Sequence, residues 1–335
     1  MNEKQIKQLS ADGFFEHKPI LGTLEETHIS WVILSEKFVF KIKKPVKLSF
    51  LDFSTLLKRE QLCEKELVLN SRFSSIYVAV VPVINTNGQW TIGDGTGTVI
   101  DYAVQMKRLN PDKRMDKLLS KGLLSKSLII SLAKEVAQFH LNAELIKTPF
   151  IASEATTTFN DILSISQFVG DNLGAKFLNI IERSVKCSGK ILAKYALRLS
   201  DRIVLGFKRD VHGDLHSGNI FAYKRPIIFD CIEFNDSYRQ IDVLSEIAFL
   251  CMDLEAFNRK DLAEIFFNEY KSLFDCCPLS DDYLLFNYYK CLRANIRAKV
   301  HAIHGGQAES HEAFDYHLNR LETYLTLLKR YTDIL

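Results

Sequence analysis

Asp214, Asn219 and Asp230 are the residues whose types and spacing carry chemistry in this chain. They lie in His212-Gly213-Asp214-Leu215-His216-Ser217-Gly218-Asn219-Ile220-Phe221 and in Ile227-Ile228-Phe229-Asp230 just downstream. Asn219 to Tyr223 is apolar enough for a short strand and Lys224-Arg225-Pro226 turns the chain. Ile227 to Asp230 then returns antiparallel, bringing Asp230 back beside Asn219. Two oxygen ligands at the mouth of a hairpin suit Mg2+, a hard cation that takes few protein ligands and completes its octahedron with waters and nucleotide phosphates. Asp214, five residues before Asn219, falls in the preceding loop and is not needed for the metal. Phosphoryl transfer requires in-line positioning, metal charge on the phosphates and a group that orients the attacking hydroxyl, and Asp214 suits that last role. The HxDxH pattern of His212, Asp214 and His216 also admits a metal-dependent hydrolase, but the nine histidines offer no second cluster with ligand spacing. His212 and His216 are therefore read as loop scaffold, bonded to backbone or carboxylate.

The elements that must position these residues follow from periodicity. HISWVIL and FVFKIKK, between Thr27 and Lys43, are separated only by Ser35, Glu36 and Lys37, the short connection of a β-hairpin, so Lys41 lies near a strand end. Lys43 shares its strand face and is its rival, and either could be a solvated lysine. Thr55 to Arg72 reads as a helix with Ser54 or Thr55 as N-cap. Tyr77 to Ile84, the turn Asn85-Thr86-Asn87-Gly88 and Thr98 to Met106 complete a small antiparallel sheet. Beyond Asn110-Pro111 the stretches Leu118 to Asn142, Asn160 to Arg198 and Val243 onward are mostly helical in period. The expected fold class is α+β and bilobal: a small antiparallel-sheet lobe with one helix over residues 1–106, and a larger helical lobe over 107–335. Asp242 reads as the N-cap of the helix after it, and Glu246 as a first-turn acid suited to that helix dipole. His140, on an apolar face with Leu132, Val136 and Phe139, reads as a core histidine.

HGDLHSGNI with a downstream FD resembles the catalytic-loop and metal-aspartate signatures of aminoglycoside phosphotransferases and their protein-kinase-like relatives. FVFKIKKPVKLSFLDFSTLLKRE, QMKRL and FDCIEFNDSYRQIDVLSEIAFLCMDL are similar to a bacterial subgroup of uncharacterised aminoglycoside-phosphotransferase-family proteins. Some members of that subgroup carry an extra ATP-binding domain, for which 335 residues are expected to leave no room. The resemblance implies Asp214 as catalytic base, Asn219 and Asp230 as Mg2+ ligands, and Lys41 on the phosphates of ATP, with GTP equally open. It also implies a helix glutamate paired with Lys41. Glu66, flanked by Leu62, Cys63, Leu69 and Phe73 on the apolar side, is preferred there over Glu60, because a carboxylate on that side needs a cationic partner. The segment Met106 to Leu109, including Arg108, is expected to receive the adenine. The first hairpin lacks the glycine-rich phosphate cover of protein kinases. Backbone amides with Ser30 or Thr27 hydroxyls are the expected substitutes.

Composition bounds the partners. With 43 basic and 41 acidic residues the net charge is +2, so no global field draws the chain to nucleic acid or membrane, and the expected partners are a nucleotide and a small-molecule acceptor. Met1 to Ser10 lacks the apolar stretch of a secretory signal, so a cytoplasmic location is expected, and the seven cysteines form no CxxC pair and read as reduced core thiols. Glu233 and Asp236 after the metal aspartate are candidates for attracting an amino sugar, with a solvated acidic loop as the alternative. Arg293 and Arg297, at i,i+4, are candidates for an anionic acceptor, with ion pairs on a surface helix as the alternative. Gly93 to Gly97 precedes a strand rather than a helix, which fits a surface loop better than a phosphate loop. A protein kinase and a catalytically silent nucleotide-binding regulator are the competing functions. Only eleven residues separate Asp230 from Asp242, too few for a long regulatory loop that also presents a polypeptide.

Overall fold

The computed structural model describes residues 1–48 and 51–335. Ser49 and Phe50, part of the FVFKIKKPVKLSFLDFSTLLKRE stretch, lie outside the described residues. Two compact units are present. The first comprises Met1–Arg114, Asn219–Tyr223 and Ile227–Arg239, and the second Met115–Gly218, Lys224–Pro226 and Gln240–Leu335. The hairpin that carries Asn219 and Asp230 therefore groups with the sheet.

In the first unit, the polar stretch after Met1 forms a helix, α1 (Glu3–Asp12). Its signal is a capping box, with Asn2 Oδ1 accepting the Gln5 N–H at 3.0 Å and Gln5 Oε1 accepting the Asn2 N–H at 2.8 Å. Strands β1 (Phe14–Phe15), β2 (Lys18–Pro19), β3 (Thr23–Glu26), β4 (Ser30–Leu34) and β5 (Phe38–Lys43) follow, then the small pair β6 (Lys47–Leu48) and β7 (Leu51–Asp52). Helix α2 (Leu56–Ser71) starts at Thr55, whose Oγ1 accepts the Lys58 N–H. Strands β8 (Tyr77–Thr86), β9 (Gln89–Ile92) and β10 (Thr98–Lys107) complete the set. Among the described residues the main sheet has eight strands, in the order β2-β1-β9-β8-β10-β5-β4-β3.

That sheet corrects the small antiparallel one expected. It is mixed, because β1 pairs parallel with β9, and the unit holds a second helix. Without β1, the short strand β9 would leave its backbone groups open at an edge; β1 covers them. Ile6 and Leu9 of α1 share one apolar cluster with Trp90, Ile92, Phe40 and Ile42, which is why a mostly polar helix docks there. A second cluster joins Tyr77, Val104 and Met106 to Ile227 and Phe229. The hairpin expected between Asn219 and Asp230 is present, with Ile220↔Ile228 and Phe221↔Ile227 in register.

In the second unit, helices α3 (Met115–Ser120), α4 (Lys126–Asn142), α5 (Ala152–Asn160), α6 (Ser166–Leu173) and α7 (Ala175–Val204) precede the loop around Asp214. Helices α8 (Val243–Ala256), α9 (Lys260–Leu273), α10 (Ser280–Gly306) and α11 (His311–Thr332) follow it. Every residue of α8 is buried, the mark of a helix apolar nearly all round at the centre of a core. Asp242 caps α8 by accepting the Leu244 N–H at 2.8 Å and also binds the buried Arg202 guanidinium. His140 is buried with Nδ1 2.7 Å from Tyr270 Oη, and burial pulls its pKa down to about 3. No described helix is long and apolar enough to cross a membrane.

Candidate active site

In the first unit, Lys41 and Lys43 lie two residues apart on β5 and therefore point to one face of the sheet. Helix α2 turns Arg59, Cys63, Glu66 and Asn70 inward at intervals of four, three and four, which puts the Glu66 carboxylate against that face. Lys41 Nζ donates to Glu66 Oε1 at 2.9 Å and to Asp230 Oδ1 at 2.6 Å. Lys43 Nζ donates to Glu66 Oε2 at 2.6 Å and also to Glu233 Oε1. Burial by itself would lower Lys41, but Asp230, Glu66 and Glu233 outweigh it and hold the ammonium well above the ordinary lysine value. Burial would likewise raise Glu66, yet the two lysines bring it down to about 2. Glu66, not Glu60, is thus the acid that meets Lys41.

The hairpin holds its two candidate ligands by main-chain bonds. Phe229 N–H donates to Asn219 O at 3.1 Å, so Asn219 and Asp230 stand on paired strand ends. Asp230 has φ +64°, left-handed for a residue other than glycine, and its N–H is held by Tyr77 Oη at 3.0 Å. The next N–H, of Cys231, goes to Asn70 Oδ1 at 2.8 Å. The Asp230 carboxylate remains 44% exposed, open to a further ligand.

In the second unit, the loop around Asp214 is anchored from α8 and α10. The Glu246 carboxylate accepts the His212 N–H at 2.8 Å and the Gly213 N–H at 3.0 Å. Asp253, seven residues along α8, accepts both the N–H and the hydroxyl of Ser217. Arg293 donates to Gly213 O at 3.1 Å and to Ser245 O at 3.2 Å, tying loop to helix. His212 Nδ1 accepts the Asp214 N–H at 3.3 Å. His216 Nδ1 accepts the Gly218 N–H at 3.1 Å, so Nε2 carries the proton and faces Asp214 Oδ2 at 3.4 Å. Gly218 must be small there, since an added Cβ would meet the His216 ring at 2.7 Å. Burial would raise the Asp214 carboxyl, but His216, Arg297 and His212 outweigh it and keep it below the usual aspartate range. Burial pushes Glu246 up to about 7, against Arg293 and the two N–H donors.

Several expectations are corrected. Glu233 is buried and paired with Lys43, so it does not line an acceptor entrance, and Lys43 is not a solvated lysine. Asp236, by contrast, stays half exposed as a surface acid would, with Lys65 and Arg239 at 2.6 and 2.5 Å. Arg293 is buried with its donors on backbone carbonyls, and Arg297 is half-buried with Nη2 3.2 Å from His301 Nε2; α10 does not present them as surface ion pairs. The Ser30 hydroxyl is fully buried without a hydrogen-bond partner among the described residues, and Thr27 Oγ1 closes its own turn onto Ser30. Neither hydroxyl is presented to a phosphate in this arrangement. The Met106 side chain packs in the apolar cluster and Arg108 donates to Ser35 O at 2.5 Å. Glu246 and Asp253, more than helix acids, are the loop's anchors. Their signal was present in SEIAFLCMDLEA: carboxylates inside an otherwise apolar helix need buried donors.

No family model matches the chain. Uncharacterised proteins of Mycobacterium tuberculosis and Mycobacterium bovis are 29% identical over 298 residues, which is 87% of this chain and 57% of theirs. The chain thus spans little more than half the length of these curated relatives. Among solved structures, the GDP and kanamycin complex of APH(2")-IIia is similar with TM-score 0.55 and 12% identity, over 97% of this chain and 99% of that one. The choline kinase of Cryptosporidium parvum Iowa II is similar with TM-score 0.54 and 13% identity, over 99% of this chain and 96% of that one. The fold is therefore the α+β, protein-kinase-like one of these small-molecule kinases.

Proposed function

We propose that this chain is a Mg2+-dependent small-molecule kinase of the cytoplasm. It moves the γ-phosphoryl group of ATP or GTP to a hydroxyl of a compact acceptor: an aminoglycoside, a sugar, an amino alcohol or another metabolite. The observation that carries the reading is the meeting of Lys41 with both Glu66 and Asp230, a strand lysine, a helix acid and a hairpin acid gathered within one unit. Lys41, kept fully charged by those carboxylates, binds the nucleotide phosphates, and the main chain of the strand end from Met106 to Leu109, rather than the Met106 or Arg108 side chains, takes the base. The half-exposed Asp230 carboxylate and the Asn219 amide oxygen are hard donors, the chemistry that fits Mg2+. Mg2+ bound there would neutralise charge on the phosphates. Asp214, ionised at neutral pH, accepts the proton of the acceptor hydroxyl as that oxygen attacks the γ-phosphorus. The bond from that phosphorus to the β–γ bridging oxygen breaks and the nucleoside diphosphate leaves. Glu246, Asp253 and Arg293 hold the loop so that Asp214 is positioned before the acceptor arrives. The fold it shares with a kanamycin complex and a choline kinase supports a small hydroxyl acceptor over a polypeptide.

The test is nucleoside-diphosphate release with ATP and GTP, with and without Mg2+, across aminoglycosides, sugars, amino alcohols and nucleosides. Acceptor-stimulated turnover is expected to fall at least about 100-fold in Asp214→Asn, the range of a lost general base. Stimulated turnover that survives intact in Asp214→Asn would overturn the assignment of the base. Failure of the protein to bind Mg2+-nucleotide at all would overturn the kinase reading.

A further inference from the structure

Lys43 has no part in the reaction as proposed, yet it is the more enclosed of the two lysines, 1% exposed against 14% for Lys41. Its partner Glu233 is 5% exposed. A buried ion pair is weak evidence for stability alone, since desolvation offsets much of the attraction, so a pair this deep calls for another reason. The neighbouring backbone supplies one. Asp230 sits at φ +64°, a conformation that persists in a residue with a side chain only where its surroundings over-determine it. Those surroundings are Tyr77 Oη on the Asp230 N–H, Asn70 Oδ1 on the Cys231 N–H, Lys41 on the Asp230 carboxylate and Lys43 on Glu233. Two lysines spaced by two on one strand thus face two acids spaced by three, and Glu66 joins the lysines by taking one on each oxygen. Resting on the kinase reading, nucleotide phosphates would draw Lys41 away from Asp230, because Lys41 is the lysine with exposed surface. Lys43, with both bonds inside, has no comparable route to a phosphate.

We propose that Lys43 and Glu233 form a positioning pair for Asp230: their bond stays closed when Lys41 turns to the nucleotide and keeps the Asp230 carboxylate in place for the metal. Neither residue touches substrate in this scheme. The pair acts through three residues of backbone, from Glu233 back to Asp230.

The test compares Lys43→Met, Glu233→Gln and the double variant Lys43→Met/Glu233→Leu in the full chain. It reads Mn2+ binding by electron paramagnetic resonance with ADP present, thermal unfolding, and the Mg2+ concentration for half-maximal turnover. Each single variant is expected to weaken Mn2+ about tenfold or more, the usual effect of removing a group that orients a metal ligand. The Mg2+ requirement should rise by a similar factor, with kcat at saturating Mg2+ nearly unchanged. The double variant, which leaves neither charge of the pair behind, is expected to recover unfolding temperature but not Mn2+ affinity. Recovery of Mn2+ affinity together with unfolding temperature would reduce the pair to a structural brace and overturn the proposal. Asp230→Ala separates the two readings. If it loses Mn2+ while the pair variants keep it, the positioning role alone fails. If Asp230→Ala itself binds Mn2+ normally, the metal assignment falls and this inference with it.

Discussion

Glu246 is a single carboxylate with two tasks that pull against each other. It must be a strong acceptor for the His212 and Gly213 N–H groups, yet it is fully enclosed, and burial raises it from the ordinary glutamate value to about 7. The folded state therefore holds this proton more tightly than the unfolded chain does. The resulting stabilisation is fully present below the unfolded value of 4.5 and is lost as pH rises through about 7. At 1.36 kcal/mol per pKa unit the loss is at most about 3 kcal/mol. Urea unfolding from pH 5 to 8 should show wild-type stability falling across that window while Glu246→Gln, which cannot ionise, stays flatter. Parallel curves for the two proteins would mean that Glu246 is ionised throughout and that its donors, rather than burial, set its charge. Asp214, with His216 and Arg297 as neighbours, moves in the opposite direction, so the surroundings push two acids of one unit opposite ways.

Elements that depend on local signals were the most legible in the sequence. The turn after β8 is one: Asn87 and Gly88 both have positive φ, +51° and +93°, the pattern of a two-residue hairpin turn that asks for Asn-Gly. An added Cβ at Gly88 meets nothing within 4 Å, so Gly88→Ala tests backbone conformation alone. It should cost about 1 to 2 kcal/mol in thermal or urea unfolding, the penalty of a left-handed residue, and leave turnover unchanged. A change below about 0.3 kcal/mol would show that the turn relaxes, since such tight turns otherwise depend on glycine. The β4–β5 hairpin, the α2 cap at Thr55 and the return of the chain to Asp230 were readable for the same reason. The docking of helix α1, the parallel contact of β1 with β9 and the company kept by Lys43 and Glu233 were not. Each depends on partners distant in sequence: Ile6 and Leu9 need Trp90 and Ile92, and Glu233 needs a lysine 190 residues away. Charge spacing alone presented Glu233, Arg293 and Arg297 as surface groups, as Asp236 is, because a solvated acid and a buried, paired acid look identical in sequence. The exception is α8, where acids within an apolar helix could have been recognised as buried and in need of donors.

Over the whole molecule, 43 basic and 41 acidic residues cancel almost completely, so ligand recognition falls to local charge rather than to a long-range field. In the first unit that local charge is gathered into a few buried groups, Lys41, Lys43, Glu66 and Glu233, with the half-exposed Asp230 at their edge. Asp230 and Glu66 already satisfy Lys41, so phosphates can displace one acid only if another cation takes up the charge that Asp230 loses. Nucleotide binding should therefore be tied to metal. At a nucleotide concentration about 100 times its dissociation constant, linkage gives about 2.7 kcal/mol of added stability. For a chain of this size that amounts to about 4 °C in unfolding temperature. The shift should appear with Mg2+ and ATP or GTP together, vanish on adding EDTA, and be absent from Asp230→Ala at any Mg2+ concentration. An equal shift in EDTA would mean that Lys41 holds the phosphates without help, and Asp230 would then be the acid that gates Lys41 rather than a ligand for Mg2+.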